Sequence, residues 1–137
     1  MAEVHEFVVR VYYEDTDLAG IVYYVNYLKF VERARSEWVR GLGVDQVSLR
    51  RDAGIVFAVR RVVADYLRPA VYDDVLTVRT RLLRLTGARI LLDQQVWRQD
   101  EAVFQAEVTL VGLTTTGRAA RLPAEVRQLL ERGTAVF

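Results

Sequence analysis

Between Tyr24 and Leu42 the apolar side chains recur every three to four residues, and such a run cannot be laid flat as a strand. Tyr24, Tyr27, Leu28, Val31, Ala34, Trp38, Val39 and Leu42 fall on one stripe, with Arg35 as its one polar member. Lys29, Glu32, Arg33, Ser36, Glu37 and Arg40 take the other sides. The spacing predicts an amphipathic helix, stopped by Gly41 and Gly43. At a rise of about 1.5 Å per residue it spans roughly 27 Å, enough to cross a small domain. A helix with so broad and aromatic a stripe needs a surface to cover it.

The rest of the chain supplies that surface as strands. Residues 4–13 alternate, with Phe7, Val9, Val11 and Tyr13 on one face and Val8, Arg10 and Tyr12 on the other. After a connector at 44–53, with room for a short helical turn, come four long strand-like segments: 55–66, 74–86, 88–98 and 102–116. Thr86-Gly87 and Thr116-Gly117 mark turns, the second leading into a short strand at Arg118–Arg121. Leu122-Pro123 opens a terminal amphipathic helix through Arg132, with Pro123 suited to its first turn. Strands in series pair antiparallel, because a parallel sheet wants helices between them. The expected fold is α+β: five to six antiparallel strands curling around one long helix. All of residues 1–137 are expected to form one domain. The segment at 53–66 is a candidate to pair across a dimer, since the sheet must put its edges somewhere.

Composition removes several function classes. With 27% charged residues and a net charge of +1, there is no concentrated basic surface for nucleic acid. The chain has no cysteine and one histidine, His5, which excludes a cysteine nucleophile and leaves no His/Cys metal site. Ser36 and Ser48 are the only serines and neither sits in a nucleophile elbow. No glycine-rich phosphate loop occurs. No run of eighteen apolar residues exists, and Glu3, Glu6, Glu14 and Asp15 interrupt the first fifteen positions. Membrane insertion and a secretory signal are therefore not expected, and a cytoplasmic location is.

The chemistry-bearing stretch lies where the first strand gives way to the helix. Glu14, Asp15 and Asp17 stand within four positions, followed by Gly20. A carboxylate beside a helix start meets unpaired N–H groups and the positive end of the helix dipole. Such an N–H can also hold a developing oxyanion, worth on the order of 3–4 kcal/mol of barrier. An acid to direct water or attack a carbonyl, with an N–H to hold its oxygen, is a minimal acyl-transfer site. Asp17-Leu18-Ala19-Gly20 also fits a type I turn with Asp first and Gly fourth. From the residues alone the turn is the plainer reading, and spacing does not choose Asp17 over Asp15. Asn26 and Tyr24 could cap or line the helix start, while Tyr27 reads as core packing with its hydroxyl at the rim. Arg33 is spaced to pair with Glu37. Arg35, alone on the apolar stripe, is expected to pair with a carboxylate in the interface or the site. Arg60, Arg61, Arg84, Arg89, Arg118 and Arg121 lie near strands or turns and could meet phosphates, or remain surface charges.

Three blocks at the helix entry carry a resemblance: Tyr13-Glu14-Asp15-Thr16-Asp17, Gly20-Ile21-Val22-Tyr23-Tyr24 with Asn26-Tyr27, and Glu32-Arg33-Ala34-Arg35-Ser36-Glu37. Together with Phe57-Ala58-Val59-Arg60-Arg61, Tyr66-Leu67-Arg68-Pro69-Ala70 and Tyr72-Asp73-Asp74-Val75-Leu76, they resemble the hotdog-fold 4-hydroxybenzoyl-CoA thioesterase family. Within it the chain looks most like the Tol–Pal-associated acyl-CoA thioesterase branch, over about residues 7–123. The resemblance implies a central helix wrapped by a curved sheet, a homodimer with active sites at its interface, and assembly to a homotetramer. It implies hydrolysis of acyl-CoA to a carboxylic acid and coenzyme A, with no cofactor beyond the coenzyme A of the substrate. Asp17 is implied as catalytic base or nucleophile and the backbone N–H at Tyr24 as the oxyanion donor. Gly20, Ile21 and Val22 shape the loop, and Asn26 and Tyr27 line or support the site. The partner's strand at 55–63, with Val59 and Arg61, walls the substrate pocket, and surface arginines meet the phosphates of coenzyme A. One departure stands out: the Tol–Pal branch usually has histidine where this chain has Tyr24, an aromatic that the hydroxybenzoyl branch tolerates. Two alternatives remain, a non-catalytic acyl-CoA-binding protein and a hotdog dehydratase or hydratase. The latter usually relies on a histidine, and His5 in the first strand is poorly placed for it.

Overall fold

A computed structural model describes residues 4–132 of the chain. The expected domain span of 1–137 therefore runs past the described residues at both ends. Five strands form one antiparallel sheet: β1 (His5–Arg10), β2 (Ile55–Tyr66), β3 (Val75–Leu85), β4 (Arg89–Arg98) and β5 (Glu101–Thr114). Their order across the sheet is β1-β3-β4-β5-β2. Three helices accompany it: α1 (Asn26–Gly41), α2 (Gln46–Ala53) and α3 (Ala124–Glu131). Helix α1 lies against β1, β3 and β4. This is the hotdog arrangement, with five strands and an open sheet.

Alternation explains which face meets the helix. Leu76, Val78, Thr80 and Leu82 of β3 are buried, as are Ile90, Leu92, Gln94 and Val96 of β4. From the other side α1 contributes Tyr27, Phe30, Val31, Ala34, Trp38 and Val39. Phe30, absent from the expected stripe, is fully buried; burying such a side chain stabilises by about 1.5–3 kcal/mol. Among the described residues Arg35 forms no ion pair with a carboxylate across the interface. It reaches Oε1 of buried Gln94 at 3.4 Å, while Gln94 Nε2 donates to the Val31 carbonyl at 2.8 Å and to Thr80 Oγ1 at 2.9 Å. Burial lowers the Arg35 pKa, opposed by Glu32. Glu37 pairs with Arg40 instead of Arg33.

Three expected elements change. The first strand ends at Arg10, and Tyr13–Asp15 tighten into a 3-10 turn, because the Asp15 carboxylate takes the Tyr12 N–H at 2.7 Å. The 44–53 connector is largely helix α2, capped by Asp45, whose Oδ1 accepts from the Val47 and Ser48 N–H groups. The expected strand at Arg118–Arg121 is reduced to a bridge between Leu113 and Ala119. Its N–H groups are divided: Ala120 donates to the Gly112 carbonyl and Leu122 to the Gly87 carbonyl, so the segment straps across two neighbours. Only glycine fits beneath the strap, since a Cβ on Gly112 would stand 2.6 Å from the Ala120 oxygen. Pro123 caps α3 from outside its first turn.

Candidate active site

The acid-rich stretch folds as a miniature hairpin. Thr16 bridges Val22, the Asp17 N–H donates to the Ile21 carbonyl at 3.0 Å, and the Gly20 N–H returns to the Asp17 carbonyl at 2.9 Å. Gly20 has φ of +80°, the left-handed residue that closes a three-residue loop with a bulge. The turn expected from the sequence is therefore present, and it presents the acid. Asp17 Oδ1 accepts the Ala19 N–H at 2.9 Å, which fixes the carboxylate over its own turn. Oδ2 has no partner among the described residues and Asp17 is exposed, so that oxygen is free to meet water or a carbonyl.

The hairpin is tied to the start of α1 through a single carbonyl. The Asp15 oxygen accepts the Tyr23 N–H at 2.9 Å and Asn26 Nδ2 at 2.8 Å. Asn26 is buried, so its amide is committed to holding the loop. The carboxylate of Asp15 is half-buried and holds the Tyr12 N–H through Oδ2, whereas that of Asp17 stands exposed on the hairpin turn. Tyr24 lies one residue before the N-cap, Val25, and that cap makes no side-chain hydrogen bond. The Tyr24 N–H has no acceptor among the described residues. An uncapped helix start next to a turn-held carboxylate is an arrangement that can polarise a carbonyl and deliver a nucleophile to it.

Aromatic rings frame this entry. Tyr27 stacks on Phe104 with centroids 5.0 Å apart, and Tyr66 meets both edge-on. The Tyr66 hydroxyl donates to the Tyr24 carbonyl at 3.0 Å. Burial pushes the hydroxyl pKa of Tyr27 up, with the Ala70 backbone and Arg98 pulling it back. Burial, aided by Tyr24, also raises that of Tyr66. Both hydroxyls stay neutral at physiological pH. Tyr66 and Ala70, whose carbonyl takes the Val22 N–H at 2.8 Å, carry no role in the sequence reading. Both fall inside a block of the resemblance, but what each does depends on a contact made more than forty positions away.

Of the loop residues named from sequence, Gly20, Ile21 and Val22 form the hairpin's second half, with Ile21 half-buried and Val22 buried. Val59 and Arg61 do not share a face. Val59 pairs with inward Leu110 and Arg61 with Thr109, on either side of a bulge, so Val59 looks toward α1 and Arg61 away. Val59, with Glu32, Arg35, Ser36 and Phe57, lines a cavity of about 180 Å³. A larger one, about 630 Å³, lies between α2 and β2 beside Arg50 and Arg51. Neither includes Asp17 or Tyr24. The hairpin tip is open instead: Leu18 is 105% exposed and Tyr24 58%. No group of three or more metal-ligating side chains exists among the described residues.

Residues 11–130 match the Thioesterase-like superfamily. The chain belongs to that family. It is 42% identical over 102 residues to an acyl-CoA thioesterase, YbgC, of Haemophilus influenzae, covering 74% of this chain and 75% of the relative. It is 36% identical over 104 residues to the acyl-CoA thioester hydrolase YbgC of an Escherichia coli strain, covering 75% and 77%. Among solved structures, a mutant 4-hydroxybenzoyl CoA thioesterase complexed with 4-hydroxybenzoyl CoA superposes with a TM-score of 0.88 at 25% identity, covering 93% of this chain and 99% of that one. The family membership and the hotdog architecture expected from the helix-entry blocks agree with these matches.

Proposed function

We propose that this thioesterase-family chain hydrolyses acyl-CoA thioesters, with Asp17 as the group that attacks the thioester carbonyl or activates water against it. The observation that carries the reading is the hairpin: it leaves one Asp17 oxygen free beside a helix start whose Tyr24 N–H is unclaimed. The relatives named for acyl-CoA thioester hydrolysis supply the substrate class. As the carbonyl carbon becomes tetrahedral its oxygen gains negative charge, and the Tyr24 N–H is the donor suited to it. The C–S bond then breaks and coenzyme A leaves as the thiolate, to be protonated by solvent. A covalent route passes through a mixed anhydride at Asp17 that water hydrolyses; a general-base route delivers water directly. Both give a carboxylic acid and coenzyme A, and neither calls for a cofactor or metal.

The functional unit in this reading is a homodimer that assembles further to a homotetramer, located in the cytoplasm, with neither nucleic acid nor membrane insertion involved. The site residues fall into groups: Gly20, Ile21 and Val22 form the loop, Asn26 and Tyr27 support it, and Val59 and Arg61 of a partner subunit border the substrate. The full exposure of Leu18 and the unpaired edge of β2 support a partner surface there. Among the described residues no helix is long and apolar enough to cross a membrane. A hydrolysis screen over aliphatic and aromatic acyl-CoAs, reading free thiol release, tests the proposal. Turnover of at least one series is expected. Tight binding of the whole panel with no thiol release would instead favour a non-catalytic acyl-CoA-binding protein.

A further inference from the structure

The Asp17 hairpin rests on the segment between β2 and β3. The Val22 N–H donates to the Ala70 carbonyl at 2.8 Å, and Ile21 bridges Val71. That segment, 67–74, belongs to no helix or strand and is held by individual bonds. Leu67 and Arg68 both donate to the Val103 carbonyl, at 2.9 and 3.1 Å, and the Val71 N–H is taken by Asp74 Oδ2 at 2.9 Å. The same Oδ2 accepts from Arg98 at 2.9 Å, and the same Arg98 nitrogen reaches the Pro69 carbonyl at 3.1 Å. The other nitrogen of the fork meets Glu101 at 2.5 Å. One guanidinium at the end of β4 thus grips the residue before Ala70 and the carboxylate that caps the residue after it.

We infer that Arg98 is a positioning residue for hydrolysis: it fixes the Ala70 carbonyl on which the Asp17 hairpin is seated. The inference rests on the reading of Asp17 as the reactive acid. Arg98 acts through the peptide floor; it hydrogen-bonds to Asp74, Pro69 and Glu101, none of them in the hairpin. The pair is well shielded, the Arg98 and Asp74 side chains being 29% and 20% exposed. Without Arg98 the Asp74 carboxylate keeps only the Val71 N–H, and the Pro69 carbonyl loses its side-chain donor. Arg68 does not take over, since it is engaged with Glu101 at 3.3 Å. A lysine offers a point charge in place of a planar fork and cannot hold three acceptors in the same geometry. Small displacements of a reacting group are costly, with about 1 Å enough for a hundredfold loss.

The test uses the full chain with an acyl-CoA that the wild type hydrolyses, together with amide exchange at Val22 followed by NMR. Arg98→Met is expected to lower kcat about tenfold while KM stays within about twofold, and to speed Val22 exchange about tenfold. Arg98→Lys should recover part of both effects. Asp74→Asn keeps an acceptor for Val71 and removes the charge, so it should reproduce a milder form of the same changes if Arg98→Met fails to fold. Adding Arg98→Met to Asp17→Asn should cost nothing further in turnover. Unchanged kcat and unchanged Val22 exchange would overturn the inference. So would a rise in KM alone, which is the mark of a phosphate contact, or an equal further loss in the Asp17→Asn background. If Asp17→Asn itself turns over like wild type, the reading of Asp17 fails, and Val22 exchange still decides whether Arg98 holds the hairpin.

Discussion

At the scale of single residues, the site is built by side chains that hold backbone in place more than by side chains that react. Asn26 donates to the Asp15 carbonyl from a buried position. Asn26→Asp would set an acceptor against that oxygen, and a buried polar group without its partner costs about 1–3 kcal/mol. A lower Tm together with slower thioester hydrolysis is the expected result, and wild-type values for both would remove Asn26 from the site. Tyr66→Phe deletes only the hydroxyl that donates to the Tyr24 carbonyl. Turnover should fall roughly threefold to tenfold, the scale of one neutral hydrogen bond, with the melting curve little changed. The residues themselves left Asp15 and Asp17 undecided, because in extended chain both point the same way; the structure half-buries Asp15 against the Tyr12 N–H and exposes Asp17 on the hairpin turn. Ala70 was not readable at all, since it contributes a carbonyl oxygen that every residue has. Arg98 was equally hidden, its partner Asp74 lying 24 positions away.

At the scale of elements, what was legible was whatever one period dictated. The buried residues of β3 repeat the alternation seen in the sequence, and α1 buries most of its expected stripe. Helix α2 was reduced to a turn because Leu49 is its one buried residue, too little pattern to read against. Its cap was in plain sight. Asp45 accepts from Val47, Ser48 and the Ser48 hydroxyl, and those bonds to Ser48 hold its carboxyl pKa below the usual value. A depressed folded-state pKa means the cap's contribution is present above the unfolded pKa and is lost as pH falls through the folded one. Asp45→Ala should therefore lower Tm at neutral pH, and the gap to wild type should close in acid. A gap independent of pH would show that the charge plays no part. The Arg118–Arg121 strand was misread because the segment pairs at one bridge: Ala120 donates to Gly112, while the next donor, Leu122, turns to Gly87.

At the scale of the whole molecule, the chain leaves the Asp17 loop uncovered. Leu18 and Tyr24 are exposed, and β2 ends the sheet with Val59, Val62 and Val63 open. The proposed dimer, joining sheets along β2, would cover this edge and bring a second wall to the hairpin. Val63→Glu should shift the protein toward monomer in sedimentation and lower turnover about tenfold or more in parallel, since an incomplete site loses positioning. A monomer with full activity would refute a shared site. The bulge that turns Val59 inward and Arg61 outward gives the edge strand two different faces, one toward α1 and one toward the outside of the sheet. All of this depends on Asp17 being the acid that does the chemistry. The most direct measurement is kcat of Asp17→Asn on an acyl-CoA that the wild type cleaves. The account predicts a loss of at least about a hundredfold with an unchanged fold, the scale of a lost general base. Turnover near the wild-type value would contradict it.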